Sequence, residues 1–189
     1  MAWFHYLEKA GVRHAVRACW NVTDPANGLW SNCWNGLNGL FMKDNRTPQA
    51  LYWVFERYAQ MLGRTLATTS TTPGDVVALA RNTSSDAAAA GTTKVLIGRF
   101  VSDTTQASAA AKSIAVHLQG LPAATTRARI EIQRIPYLRP DVQSGPDTTA
   151  QPLQNVEVVD RYTAKVVGGK VSAYLPAFKD RDAYYLSVD

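Results

Sequence analysis

Leu51, Val54, Phe55, Tyr58 and Leu62 recur at helical spacing and form one apolar stripe. Thr47 reads as the N-cap, Pro48 as the first helical residue and Gly63 as the stop, which predicts a helix over Pro48–Leu62. A shorter helix is predicted over Trp3–Ala10, closed by Gly11. Val12–Trp20 then reads as a strand that runs into a loop over Asn21–Asn45, with Asp24-Pro25 and Asn27-Gly28 as turn signals. Beyond Gly74 the period changes from helical to two. About eight short β runs follow, at Asp75–Arg81, Lys94–Val101, Ser113–Gln119, Arg127–Ile135, Leu153–Arg161, Ala164–Val167, Lys170–Leu175 and Ala183–Val188. Ile114, Val116 and Leu118 alternate cleanly, as do Tyr184, Leu186 and Val188. Val167-Gly168-Gly169-Lys170 signals a tight hairpin. The Ala-rich stretches at Ala87–Ala90 and Ala107–Ala111 read as loops. Many short strands separated by turns predict an antiparallel β-sandwich, Ig-like or jelly-roll-like, behind a short α/β segment.

Composition sharpens the division. All five tryptophans fall within the first 53 residues, at Trp3, Trp20, Trp30, Trp34 and Trp53. The later part is rich in Thr, Ala and Val. The run Ala67–Gly74 is small, polar and broken by Pro and Gly, so it reads as a linker between an α/β segment (1–66) and a sandwich (75–189). At 189 residues and 46% hydrophobic the chain can bury a sizeable core, yet it is too short for a complete (β/α)8 barrel of about 250 residues. The net charge of +5 is spread over both parts and has no block of like charge, so nucleic acid is not an expected partner. No apolar run is long enough to cross a membrane, and the N-terminus lacks the layout of a signal peptide. Any secreted or periplasmic location would rest on a leader carried by a longer parent. Cys19 and Cys33 fit either one bridge or two buried thiols.

Several chemistries have no motif here. His5, His14 and His117 sit in no HExxH or close pair, and no CxxC exists, so no dedicated metal site is expected. Neither a phosphate loop, a GxGxxG turn nor a GxSxG elbow occurs, and no cofactor is implied. His117 lies on the polar side of an alternating run. The chain has four glutamates, Glu8 and Glu56 in predicted helices and Glu131 and Glu157 in β runs. Asp24, Asp44 and Glu56 would be the acids of a small self-contained enzyme. The segment from Cys19 to Phe41 is richest in binding chemistry. Trp20, Trp30 and Trp34 stand among Asn21, Asn32, Asn35 and Asn38. Indole faces stack on the C–H faces of sugar rings and amides hydrogen-bond hydroxyls, so this set suits carbohydrate; equally, the tryptophans could pack the loop onto a neighbouring surface. Asn21-Val22-Thr23, Asn45-Arg46-Thr47 and Asn82-Thr83-Ser84 match the glycan acceptor pattern.

The run from Leu7 to Gly63 resembles the end of the catalytic barrel of clan A glycoside hydrolases, particularly family 39. The likeness is carried by Lys9-Ala10-Gly11-Val12, Cys19-Trp20-Asn21, Gly39-Leu40-Phe41, Asp44, Pro48-Gln49-Ala50-Leu51-Tyr52 and Tyr58-Ala59-Gln60-Met61-Leu62-Gly63. Val116–Pro122 and Leu175–Phe178 resemble the β-sandwich that follows the barrel in that family. The resemblance implies the last barrel strand, its loop, the last barrel helix and then the sandwich. It implies that the catalytic glutamates, at the ends of the fourth and seventh barrel strands, have no counterpart here. The chain would then be inactive alone and supply one wall of a sugar site, through Trp20 first and Asn21 and Trp34 next. The alternative is a self-sufficient carbohydrate-binding or interaction module. In either case the helix Pro48–Leu62 is expected to pack on the sandwich, or the chain to self-associate through its barrel-end segment.

Overall fold

The computed structural model describes residues 1–12, 14–15, 21–24, 28–31, 40–42, 46–86, 91–100, 110–138 and 151–189; side chains of 21–24 and 28–31 are not among them. Helix α1 spans Ala2–Lys9 and α2 spans Ala50–Ala59. Between them lie β1 (Asn21–Asp24) and β2 (Gly28–Ser31). Then come β3 (Arg64–Leu66), β4 (Val76–Asn82), β5 (Thr93–Arg99), β6 (Lys112–Gln119), β7 (Arg127–Ile135), β8 (Glu157–Lys165), β9 (Lys170–Phe178) and β10 (Ala183–Val188). The antiparallel six-stranded sheet has the order β3-β4-β5-β10-β7-β8, and β6 pairs with β9 in a second sheet. The protein is therefore mainly β, an antiparallel sandwich preceded by a small helical segment.

The neighbouring strands β4, β5 and β10 are buried on both faces of the six-stranded sheet, which is why they do not simply alternate. β10 reads Ala-Tyr-Tyr-Leu-Ser-Val with every residue but Ser187 buried. Tyr184, Leu186 and Val188 point into the core shared with β9, where they meet Val171, Ala173, Leu175 and Phe178. Ala183 and Tyr185 point the other way, with Leu79 and Leu96, onto Phe4 of α1, Val54 of α2 and Met61. Leu96 and Leu186 have no exposed surface, and each burial stabilises the fold by roughly 1.5–3 kcal/mol. A sandwich can close with two sheets alone. Here the helices form a third layer on the larger sheet, so α2 packs on the sandwich as its stripe requires.

Several elements depart from their expected bounds. The helix begins at Ala50, not Pro48, and Thr47 is not its N-cap. Gln49 holds that position in an extended conformation (φ −98°, ψ 168°). The backbone of 47–49 is used as a strand. Met42 N–H donates to Thr47 C=O, Gln49 N–H to Leu40 C=O and Leu153 N–H to Pro48 C=O. Leu62 leaves the stripe because the helix has already ended; it is 70% exposed while Met61 turns into the core at 1%. Val12, His14 and Ala15 lie in no strand, and the rest of the expected strand Val12–Trp20 falls outside the described residues. The expected loop Asn21–Asn45 contains a hairpin, with Asn21 opposite Ser31 and Val22 opposite Trp30. The two runs Leu153–Arg161 and Ala164–Val167 are one strand, β8, because Tyr162 and Thr163 stay in register with Ile130 and Arg129. The turn Gly168-Gly169 is tight, with positive φ at both residues and reciprocal bonds between Val167 and Lys170. It joins strands of different sheets and so turns a corner of the sandwich.

Candidate functional site

Of the residues expected to meet a sugar, Trp20 and Trp34 lie outside the described residues. Asn21 opens β1, and only its backbone is described. What the structure does define is the frame that carries this segment. At its start, α1 ends in Gly11 with φ +69°. At its close, Phe41 pairs with Pro48 and Gln49 pairs with Pro152. Gln49 is buried and donates from Nε2 to Phe41 C=O at 2.7 Å.

The two helices are fixed to each other and to the sheet by aromatic and charged contacts. Phe4 stacks on Tyr58 with ring centroids 4.0 Å apart and meets Phe55 edge-on at 4.8 Å. Tyr58 donates its hydroxyl to Glu8 at 2.7 Å, and Arg81 of β4 donates to the same Glu8 oxygen at 2.8 Å. Burial, with the bond to Glu8 behind it, pushes the Tyr58 phenol above its ordinary pKa. Trp53 donates Nε1–H to Leu153 C=O at 2.6 Å. Arg57 lies over the rings of Trp53 and Tyr185 at 5.7 and 5.5 Å and donates to Gln133 at 2.8 Å. Burial raises the Tyr185 phenol to about 12.

All four glutamates of the chain are engaged in this framework. Glu8 holds Tyr58 and Arg81. Glu56 holds Arg57 and Gln60. Glu131 accepts from Gln133 at 2.6 Å and pairs with Arg161 at 2.6 Å. Glu157 faces Arg134 at 3.5 Å. The Gln133 amide, then Arg161, hold Glu131 below the usual carboxylate range. That is opposite to what a general acid at neutral pH requires. Asp44 lies outside the described residues, the side chain of Asp24 is not described, and Glu56 is bound as above. Among the described residues no cluster of His, Cys, Asp and Glu could hold a metal ion.

One groove has no counterpart in the sequence pattern. It has a volume of about 460 Å³ and lies between α1 and the sheet. His5, Glu8 and Lys9 line one wall; Thr65, Thr68 and Ser70 line the other. His5 Nδ1 and Thr68 Oγ1 both bond Ala78 C=O, at 2.9 and 3.1 Å. No periodicity could have revealed it, because its far wall is built from a segment that reads as a linker. His117 sits on the outer face of the β6–β9 sheet, 2.8 Å from Ser172, with Tyr174 exposed beside it.

No protein-family model matches the sequence, and no curated protein does. Solved structures do resemble it. One is N2152 from Neocallimastix frontalis (TM-score 0.55, 15% identity), matched over 75% of this chain and 30% of that one. A GH39 enzyme from Xanthomonas axonopodis pv. citri gives a TM-score of 0.50 at 13% identity, over 82% of this chain and 32% of that one. A glucosidase from Croceicoccus marinus gives 0.51 at 16% identity, over 79% and 33%. The likeness is one of fold. The chain spans about a third of the length of each of these three structures. The resemblance read from the sequence and the similarity in shape thus point to the same group of folds.

Proposed function

We propose that this chain is the C-terminal, sandwich-bearing portion of a family 39-like glycoside hydrolase, in which it frames the sugar site without performing the chemistry. In this reading Trp20 stacks on a sugar ring, and Asn21 and Trp34 extend the same wall. The observation that carries it is the employment of the glutamates. A retaining glycosidase needs two carboxyl groups about 5–5.5 Å apart, one of them a raised acid. Here Glu8, Glu56, Glu131 and Glu157 are each bound to arginine. The fold shared with a GH39 enzyme and a glucosidase supports the same reading. The purified chain should release no nitrophenol from a panel of aryl glycosides. Release that is abolished by heating the protein would sink the proposal.

A second reading, a self-sufficient carbohydrate-binding module, draws on the outer face of the β6–β9 sheet. There Tyr174 is 66% exposed opposite Ala115, next to the His117–Ser172 pair. Calorimetry with xylan, arabinan and short oligosaccharides separates the two. Saturable binding lost in Tyr174→Ala favours the module; binding lost in Trp20→Ala favours the wall.

A further inference from the structure

The helices do not cover the whole outer face of the six-stranded sheet. Arg57 of α2 reaches Gln133 on β7, but the rungs beyond are open. On β7, Arg127, Arg129 and Glu131 alternate with the buried Ala128, Ile130 and Ile132, so they point outward. The register then sets Arg127 directly opposite Lys165, Arg129 opposite Thr163 and Glu131 opposite Arg161. Arg127, Arg129, Arg161 and Lys165 are exposed. Arg161 is held by Glu131. Arg127, Arg129 and Lys165 have no salt bridge among the described residues. Asp189 exchanges backbone bonds with Arg129 at 3.0 Å, and Asp160 beside Arg161 accepts its backbone N–H at 2.8 Å. A charge that is scattered along the sequence is therefore gathered by the fold at one end of one face.

We infer that this open end is a docking surface for an acidic polysaccharide, a linear chain carrying repeated carboxylates. Like charges directly opposite each other weaken an antiparallel pair, and an anion placed between Arg127 and Lys165 removes that repulsion. Neighbouring strands are about 5 Å apart and successive outward residues about 7 Å apart, so the cations form a grid that meets anions repeated along a chain. Thr163 and Ser187 add hydroxyls to the same face, where sugar hydroxyls can bond them. No aromatic side chain lies on these rungs, so a single-stranded nucleic acid would find nothing to stack on. The surface shares no residue with the wall proposed at Trp20, Asn21 and Trp34.

Isothermal calorimetry with polygalacturonate tests this. The unmodified chain should bind saturably at about 50 mM salt and lose at least about tenfold in affinity near 500 mM. Arg127→Glu should weaken binding by about tenfold or more while its thermal midpoint holds or rises, because the new carboxylate faces Lys165. Lys165→Glu should behave the same way, and Arg127→Lys should keep most of the affinity. Three results would overturn the inference: no binding at low salt, unchanged binding in both reversal variants, or equal binding of single-stranded DNA. Neutral xylan, run alongside, reports on the proposed wall, so failure of either reading shows on its own.

Discussion

Asp182 is 2% exposed and stands at the turn into β10. Its Oδ2 accepts two bonds from Arg134, at 3.0 and 2.8 Å, and its Oδ1 accepts the Tyr137 N–H at 2.8 Å. Asp182→Ala removes all three bonds and leaves a guanidinium that is only 20% exposed. Breaking one side of a buried pair costs about 3–5 kcal/mol. Arg134 keeps Glu157 at 3.5 Å as a second partner, which puts the loss at the lower end, about 3 kcal/mol. In a domain of this size that lowers the thermal midpoint by roughly 6–12 °C. Equilibrium urea unfolding should show the same loss with an unchanged m-value. The double variant Asp182→Ala with Arg134→Met should recover a large part of it, since no uncompensated charge remains. A loss below about 1 kcal/mol in the single variant, or strict additivity in the double, would refute the reasoning.

Gly63 takes φ +109°, and a Cβ there would lie 2.1 Å from Asn82 C=O. Gly63→Ala should therefore cost more than about 1 kcal/mol, although the same change at an unstrained position would stabilise, and urea unfolding measures it. Burial pushes Asp75 up, but bonds from Lys112 at 2.5 Å and Arg99 at 3.0 Å outweigh it and hold the carboxyl below its ordinary value. Its stabilising effect is present above the unfolded value and is lost as pH falls through the folded one, so Asp75→Asn should flatten the acid limb of stability against pH. Asn82 donates from Nδ2 to Gly91 C=O at 3.0 Å and to Thr93 Oγ1 at 2.9 Å. A folded chain secreted from a eukaryotic host should carry no glycan there, whereas Asn82→Ala should destabilise it by about 1–3 kcal/mol; intact mass and a melting curve check the two.

The residues that make the sandwich announce themselves. β7 and β10 appear at the expected bounds because Ile130, Ile132, Tyr184 and Leu186 repeat with period two. What stays hidden in the sequence is pairing. Glu157–Lys165 looks broken at Tyr162-Thr163 because the polar rung Thr163 faces solvent opposite Arg129, while the strand runs on through it. The helix start was obscured because Pro48 satisfies two rules at once, a first helical residue and a strand edge, and only the distant Leu153 N–H decides between them. Of the candidate site, Trp20, Asn21 and Trp34 are proposed from residue type alone, and Trp20 and Trp34 lie outside the described residues, whereas the groove at His5 and the cluster at Arg127 needed tertiary contacts. Arg127 and Lys165 are 38 positions apart in sequence and adjacent only through the register.

β10 is the final strand in the sequence, yet it lies in the middle of the larger sheet, between β5 and β7. During synthesis, therefore, β3-β4-β5 and β7-β8 can form only as separate pieces, each with an edge waiting for a neighbour that has not yet been made. The sheet is zipped shut from its centre at the last moment, through contacts between residues far apart in sequence. Loss of a few residues from this strand would split the sheet in two rather than fray one side. Until β10 has been made, each piece keeps an unpaired strand edge that is open to non-native pairing.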